Sequence, residues 1–253
     1  MKKPVLHVQK MQHTPLLIDD FCYSAQLGAR LANIKCKTFR DSLTIPFEST
    51  SIIVGSVEQC HIWLEASGFG IPQAIPLEHF HPDHLGRKIE RKHISEVYAR
   101  TFAEWKNKCY KKVFIKPSQN IKAFTGFVMD DPRLLRLWSE KFEGEVYEQE
   151  VVDIISEYRL YVSQGKILGL FNYAGDCLIF PDAELIKTVK YRADDLEYLS
   201  YTLDFGVLND GRTILIEAND GYAIGNYGLE PHDYYQFVKN RWLQITGILR
   251  YLE

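Results

Sequence analysis

The sequence predicts a mixed fold, with a small α/β segment followed by a larger α+β segment, and three observations support this. Strand-like and helix-like patterns alternate through residues 1–90. Two β-hairpins stand out later in the chain, one turning near Gln164-Gly165 and one in the stretch Asn209–Arg212. The length of 253 residues suits one large domain or two modest ones.

Composition narrows the classes of function. The chain is 46% hydrophobic and 25% charged, as expected of a globular protein. Its formal net charge of −3 favours neither nucleic acid nor an anionic membrane, so nucleic acid is an unlikely partner. No apolar stretch is long enough to span a bilayer, and we expect no secretory signal, because no continuous apolar core follows the basic residues at the start. The five dispersed cysteines, with no CxxC pair, indicate reduced thiols and a cytoplasmic protein.

Short apolar runs and one helical pattern organise the N-terminal segment. "PLLIDDF" and "SIIVGS" predict strands, and "VEQCHIWLEASGFG" predicts a helix that ends at glycine. The polar stretch "LEHFHPDHLGRKIERKH" then suggests a crossover, and we place a domain boundary at residue 90.

The crossover contains two groups of polar side chains. Its three histidines could bind a metal, but no cysteine accompanies them and a proline interrupts the spacing, which favours a solvated or capping loop. The histidines are His79, His81 and His84. Its basic residues would form one face of a helix, either solvated or directed at an anionic substrate. They are Arg87, Lys88, Arg91 and Lys92.

The next segment contains two lysines near a predicted strand. "SEVYARTFAEWKNKCYKK" predicts a helix with Ser95 as its N-cap. In "VFIKP", Lys116 either reaches water at a strand edge or has an anionic partner. Lys122 follows six residues later, so the stretch between the lysines could close over a negatively charged group.

The first hairpin lies in "SEYRLYVSQGKILGLFNYAG" and contains Arg159 in its first strand. A strand arginine is often an ion-pair partner, here of Glu157 or Asp153. Alternatively, its planar guanidinium could bind a phosphate or a carboxylate through two hydrogen bonds.

The second hairpin, "TLDFGVLNDGRTILIEAND", places two acids opposite each other. A two- or four-residue loop pairs Leu208 with Thr213, Phe205 with Ile216, and Asp204 with Glu217. Leu203, Phe205 and Val207 then form a core face with Ile214, Ile216 and Ala218. Opposed like charges destabilise a sheet, so either this face is solvated or a cation such as Mg²⁺ lies between the acids, with Asn219 nearby.

A loop and a helix complete the chain. Three residues of the loop lie where an acceptor substrate could bind, although such residues are also common in ordinary loops. They are Tyr222, Asn226 and Tyr227. Pro231 then indicates the first turn of a C-terminal helix.

Taken in order, five segments resemble the ATP-grasp superfamily across residues 95–225. They are "VFIKP", "EQEVV", "EYRLYVSQGKILG", "LDFGVL" and "LIEAND". The sequence is similar in particular to a divergent branch characterised by one arginine and two lysines, here Arg159, Lys116 and Lys122. The resemblance implies two α+β lobes, residues 91–150 and 151–253, preceded by a small α/β domain, residues 1–90.

The resemblance also implies how the site binds ATP and Mg²⁺. Lys116 and Lys122 would contact the phosphates, and Arg159 would hold the γ-phosphate or the activated carboxylate. The hinge, residues 148–151, would contact adenine through its backbone, with Glu150 or Asp153 near the ribose. The hinge residues are Glu148, Gln149, Glu150 and Val151, and the metal ligands would be Asp204, Glu217 and Asn219.

The activity implied is that of an ATP-dependent carboxylate–amine ligase acting through an acyl phosphate. Its substrates would be small molecules, peptides or protein termini. Alternatives are a kinase on the same fold and a nucleotide-binding protein without turnover. One departure from the family pattern is that no glycine-rich phosphate loop lies between "VFIKP" and "AFTG", where Gly126 is the only glycine, so the covering loop would contact phosphates differently.

Overall fold

The computed structural model describes residues 3–119, 124–139 and 142–247. The N-terminal segment forms a parallel three-stranded sheet of order β2-β1-β3 with helices α1 and α2. These elements are β1 (Val5–Gln9), α1 (Asp20–Leu31), β2 (Lys35–Phe39), β3 (Ser51–Val54) and α2 (Val57–Ser67). The three-residue 3₁₀ helices Ser42–Thr44 and Leu77–His79 and the short helix α3 (Pro82–Leu85) lie in the connections.

The second sheet is antiparallel, with the order β4-β7-β5-β6, and helices α4 and α5 contact it. Its apolar core includes Ile94, Val97, Ile115 and Val146. The elements are β4 (Ile89–His93), α4 (Ile94–Lys106), β5 (Val113–Pro117), β6 (Phe127–Met129), α5 (Pro132–Ser139) and β7 (Glu145–Glu150).

The third sheet is also antiparallel, with the order β11-β10-β8-β9. Both predicted hairpins are present in it. Its elements are β8 (Ile154–Ser163), β9 (Lys166–Gly175), α6 (Ala183–Asp194), β10 (Ser200–Leu208), β11 (Thr213–Asp220) and α7 (Pro231–Ile245). Pro231 occupies the first turn of α7, as predicted.

The C-terminal helix connects the first and third sheets. Helix α7 packs along α1, and its Trp242 donates a hydrogen bond from Nε1 to the Ser51 carbonyl at 2.8 Å. The rings of Trp63 and Trp242 lie 5.8 Å apart in a core that also contains Tyr161 of β8. The division into residues 1–90, 91–150 and 151–253 stays a prediction. Throughout the described ranges, no helix has both the length and the apolar character needed to cross a bilayer.

Three local predictions were wrong. "PLLIDDF" forms no strand, because Asp19 caps the N-terminus of α1 and the chain is already helical at Asp20. Helix α4 begins two residues earlier than predicted, with His93 rather than Ser95 as its N-cap. The basic run is not helical: Arg91 and Lys92 lie in strand β4, which pairs with β7 and presents its side chains to both faces of a sheet, and Arg87 and Lys88 directly precede it.

The second hairpin contains a β-bulge that the sequence analysis did not predict. Four residues, with Gly211 at φ +85, separate the two strands, and near this turn Val207 pairs with Thr213 and Phe205 pairs with Leu215, not with Ile216. The extra residue on β11, Ile216, restores the pairing of Asp204 with Glu217. The predicted acid pair is therefore confirmed, whereas the predicted pairing of Leu208 with Thr213 and the predicted core position of Ile216 were wrong.

Burial of His7 makes the free energy of unfolding depend on pH. It lies in the central strand β1, where burial, with a smaller contribution from Lys37, lowers its pKa to about 4. The folded state therefore binds fewer protons than the unfolded state, and the stabilisation present above pH 6.5 is lost as the pH falls towards 4. We expect denaturant titrations at pH 7.5 and 4.5 to show a loss of at most about 3 kcal/mol that His7→Gln lacks. An equal pH dependence in the variant would contradict this.

Candidate active site

A cleft of about 1160 Å³ lies where helix α2, strand β5 and strand β11 meet. Four of the predicted site residues line it, although they come from three strands and are separated by up to about a hundred positions. They are Lys116, Arg159, Glu217 and Asn219. The structure thus brings together most of the predicted phosphate and metal residues. Lys122 lies outside the described residues.

One row of charged side chains crosses the third sheet. Asp204 in β10 pairs in register with Arg159 in β8 on one side and with Glu217 in β11 on the other. Arg159 donates two hydrogen bonds to the Asp204 carboxylate, from Nε at 2.8 Å and from Nη2 at 2.6 Å. Both side chains are buried. The ion-pair partner of Arg159 is Asp204, so the predicted pairing with Glu157 or Asp153 was wrong.

Lys116 connects the second sheet to this row. Its Nζ lies 2.9 Å from Glu217 Oε2, and Asn219 donates a hydrogen bond to Glu217 Oε1 at 2.9 Å. The Arg159 guanidinium is 4.0 Å from the same carboxylate. In this state the positive charge required by the opposed acids comes from Lys116 and Arg159.

The two acids have opposite pKa shifts. Burial raises the pKa of Asp204 to about 7, in spite of the hydrogen bonds from Arg159. Burial acts in the same direction on Glu217, but Lys116, Asn219 and Arg159 outweigh it and lower its pKa to about 2. Glu217 is therefore a carboxylate at neutral pH, and it is the acid that borders the cleft.

The donor chemistry of this cluster fits Mg²⁺. Two carboxylates and one amide supply the hard oxygen atoms that this ion prefers. Asp204, Glu217 and Asn219 project from the same face of the hairpin, since Asp204 pairs with Glu217 and Thr202 pairs with Asn219. Among the described residues, no group of three acidic, histidine or cysteine side chains forms a metal site, so an ion here would also need oxygen ligands from a substrate or from water.

The predicted hinge residues lie at the end of β7 and in the connection to β8, directly after the cleft-lining Tyr147, and they do not themselves line the cleft. Glu148 contacts Arg100 of α4 at 2.6 Å. Gln149 is buried and accepts a hydrogen bond from Arg87, while its Nε2 has no partner among the described residues. Val151 is exposed, Glu150 accepts a hydrogen bond from the Lys88 amide, and the Asp153 carbonyl accepts one from the Asn209 amide.

Two tyrosines that the sequence analysis did not connect with Arg159 cover its guanidinium. The Tyr227 ring centroid lies 4.6 Å from Arg159 Cζ, and the Tyr173 ring centroid lies 5.7 Å from it. The two rings stack on each other at 5.0 Å. Only the position of Tyr173 on the strand paired with β8 could have indicated this contact.

The loop after β11 supplies part of the cleft wall. Tyr222 and Tyr227 line the cleft, whereas the Asn226 side chain closes the loop through Gly228 and Leu229. Contact of these three residues with substrate stays a prediction. His61, which the sequence analysis missed, also lines the cleft and shares a 2.8 Å hydrogen bond with Tyr222.

The histidines and the basic run make hydrogen bonds and ion pairs within the protein, and Arg91 also lines the cleft. His81 caps α3, and His79 makes a hydrogen bond with the Arg192 carbonyl at 2.7 Å. Arg91 pairs with Glu78, and Lys92 pairs with Glu90 and Glu148. Among the described residues these three histidines form no metal site.

Solved structures share the architecture. A D-cycloserine synthetase matches with a TM-score of 0.59 at 10% identity, covering 95% of this chain and 99% of its own. A RimK domain ATP-grasp protein from Sphaerobacter thermophilus gives 0.56 at 11% identity, with coverages of 93% and 99%. A D-alanine–D-alanine ligase from Bacillus anthracis, complexed with ATP, gives 0.54 at 12% identity, with coverages of 99% and 99%. These identities show the fold alone.

Sequence comparison gives the family. No match was found among curated proteins. The profile described as "ATP-grasp domain, R2K clade family 2" matches residues 84–237, more than half of the chain. This range contains Lys116, Arg159, Asp204 and Glu217, the four charged residues of the cluster. The chain therefore belongs to family 2 of the R2K clade of ATP-grasp domains and has the ATP-grasp fold.

Proposed function

We propose that this protein is an ATP-dependent carboxylate–amine ligase. The observation that carries the proposal is the convergence of Lys116, Arg159, Glu217 and Asn219 on one cleft, with Asp204 directly behind them. Membership of the ATP-grasp family supports ATP as the co-substrate. The fold shared with a synthetase and with a D-alanine–D-alanine ligase supports the ligase class.

The proposed reaction has two steps. The γ-phosphoryl group of ATP passes to a substrate carboxylate, giving ADP and an acyl phosphate. An amine then attacks the acyl carbon, the C–O bond to phosphate breaks, and an amide and inorganic phosphate form. Such transfers depend on positioning and on neutralising charge more than on covalent catalysis.

The chain's own residues would supply that positioning. Lys116 reaches the cleft from the second sheet, where its ammonium can exchange the Glu217 carboxylate for a phosphate oxygen. Arg159 is held by Asp204 and Tyr227, so its guanidinium is fixed in orientation before substrate arrives. Asp204, Glu217 and Asn219 would hold Mg²⁺, which when bound neutralises phosphate charge. Lys122 would contact the phosphates from the covering loop.

The predicted hinge would bind the nucleotide base. Adenine would lie next to the connection between the second and third sheets, against the backbone of Glu148, Gln149, Glu150 and Val151. Glu150 or Asp153 would lie near the ribose. Single substitutions of these side chains should change nucleotide affinity less than substitutions at Lys116, because backbone groups make the base contacts.

The cleft volume supports a second substrate beside the nucleotide. At about 1160 Å³ it exceeds the roughly 300–1000 Å³ that is usual for one drug-sized ligand. Tyr222 and Tyr227 border it on the side of the loop after β11. We propose that the carboxylate and amine substrates, whether small molecules, peptides or protein termini, bind along this wall.

The proposal is tested by incubating the protein with MgATP, hydroxylamine and a panel of amino acids and dipeptides. Hydroxylamine converts an acyl phosphate to a hydroxamate, so a ligase is expected to give ADP and a hydroxamate in equal amounts with at least one carboxylate. ADP formation with a stable phosphorylated product and no hydroxamate would identify a kinase. Nucleotide binding without ADP release in any mixture would identify a protein without turnover.

A further inference from the structure

Arg87 makes an unusual set of contacts at the junction between the second and third sheets. Its guanidinium donates four hydrogen bonds, each at 2.9 Å. The acceptors are Gln149 Oε1 and the carbonyl oxygens of Leu85, Leu215 and Ile216. One side chain therefore links β7 of the second sheet to β11 of the third.

No carboxylate among the described residues lies within ion-pair distance of the Arg87 guanidinium. Burial lowers its pKa to about 10, although the charge of Glu217 acts in the opposite direction at longer range. A partly buried cation whose hydrogen-bond acceptors are all neutral is costly to desolvate. We therefore expect its hydrogen bonds to the carbonyl groups of β11 to stabilise the backbone conformation of that strand.

That local structure is the β-bulge at Ile216. Successive residues of a regular strand direct their carbonyl groups to opposite edges. The carbonyls of Leu215 and Ile216 nevertheless both accept from one guanidinium, as the bulge permits. Strand β11 lies at the edge of its sheet, so no further strand within the described ranges supplies donors to these carbonyls.

The bulge determines which face Glu217 occupies. Between the loop and the bulge, Phe205 pairs with Leu215. The next pair in the same register would be Asp204 with Ile216. Without the bulge, that register would continue and Glu217 would pair with Leu203, on the apolar face of the sheet. The extra residue moves Glu217 to the face of Asp204 and Lys116. Bulges commonly redirect side chains beside active sites in this way.

Gly86 allows Arg87 to reach the strand. It adopts φ +60, and a Cβ atom at this position would lie 2.1 Å from Ile214 Cγ2. The segment before Arg87 therefore packs directly against β11, and α3 contacts the same strand.

We propose that Arg87 is a positioning residue for Glu217: it holds the bulge at Ile216 and so fixes the carboxylate that faces the cleft. This inference rests on the proposed function for the role of Glu217 in binding the metal–nucleotide complex. The contacts with the bulge are independent of it. Arg87 itself does not line the cleft among the described residues.

The first measurement is hydrogen exchange without nucleotide, on wild type, Arg87→Lys and the control Arg192→Lys. Lysine keeps the charge but lacks the planar set of donors. We expect exchange in a peptide covering residues 213–220 to rise by about tenfold in Arg87→Lys and not in Arg192→Lys. A peptide covering residues 154–175 should be unchanged. Equal exchange at 213–220 in the variant and wild type would overturn the proposed contacts.

The second measurement is calorimetric titration of the same proteins with a non-hydrolysable ATP analogue at increasing Mg²⁺. In Arg87→Lys, the Mg²⁺ concentration that gives half-maximal tightening should rise by about tenfold or more, while affinity in EDTA stays unchanged. A merely structural role would weaken both equally or neither. An unchanged Mg²⁺ dependence together with increased exchange would overturn the positioning role.

Gly86→Ala and the wild type together distinguish a failure of the positioning role from a failure of the proposed function. Gly86→Ala retains Arg87 but pushes its segment away from β11, so it should reproduce both effects even if Arg87→Lys fails to fold. Wild type that binds no nucleotide at any Mg²⁺ concentration would overturn the proposed function, and the positioning role with it. The exchange data would still decide the contacts between Arg87 and the bulge.

Discussion

Replacing Arg159 with Met is expected to lower the free energy of unfolding by about 3–5 kcal/mol, because it leaves the buried Asp204 carboxylate without its partner. The two side chains are 7% and 2% exposed, so water cannot replace the lost hydrogen bonds. The same change should abolish ATP turnover, since the guanidinium proposed to face the phosphates is removed. Denaturant titration and ADP release measure the two effects.

The loss of stability should depend on pH in a defined direction. Burial already raises the pKa of Asp204 to about 7, and removal of Arg159 leaves that effect unopposed, so the pKa rises further. Protonation then relieves the penalty at low pH. The variant should therefore be less destabilised at pH 5 than at pH 8, and the reverse order would contradict a buried, unpaired carboxylate.

A double variant separates stability from activity. Arg159→Met with Asp204→Leu replaces the whole ion pair with apolar side chains and should recover most of the lost stability. It should stay inactive, because neither charge is restored. Arg212→Met is the matched control: its guanidinium pairs with the exposed Asp210, and it should change neither unfolding nor turnover. A double variant as unstable as the single one would refute the ion pair as the cause.

Replacing Glu217 with Gln is expected to reduce turnover by about 10³-fold or more, since it removes the ionised carboxylate that borders the cleft. The shape of the side chain is kept, and Glu217 is about one-third exposed, so the free energy of unfolding should change by about 1 kcal/mol or less. Initial rates of ADP release and a denaturant titration give both values.

Glu184→Gln is the control for this change, because its carboxylate is exposed on α6 and pairs with Lys187, which is also exposed. It should leave turnover and stability unchanged. Retained turnover in Glu217→Gln would refute the metal role of Glu217, and a collapse of stability without loss of turnover per folded molecule would make its role structural.

The sequence was sufficient to predict the hairpins, the fold class and the opposed acids. Hairpins are local, and the Asp-Gly turn and the alternation of apolar side chains indicate both strands. Lys116 and Arg159 could be recognised because a charged side chain in an apolar strand requires a partner. The ordered resemblance to ATP-grasp segments then connected residues that lie far apart in the chain.

What could not be predicted depends on contacts distant in sequence. The pairing next to the turn is shifted by one residue from the prediction, and the bulge at Ile216 shifts it back, so the acid pair was predicted correctly although the pairing near the turn was wrong. The bulge is held by Arg87, more than a hundred residues earlier, which the sequence pattern assigned to a helical basic face. Likewise, the hydrogen bond of His61 with Tyr222 joins the first sheet's helix to the loop after β11, and neither local pattern indicates it.

The proposed metal–nucleotide site is tested most directly by calorimetric titration of wild type and Glu217→Gln with a non-hydrolysable ATP analogue, with and without Mg²⁺. We expect Mg²⁺ to strengthen nucleotide binding by the wild type. In the variant, binding without Mg²⁺ should persist, but Mg²⁺ should no longer strengthen it. Absence of nucleotide binding by folded wild type, or equal Mg²⁺ dependence in the two proteins, would contradict the assignment of the acid pair to a metal–nucleotide site.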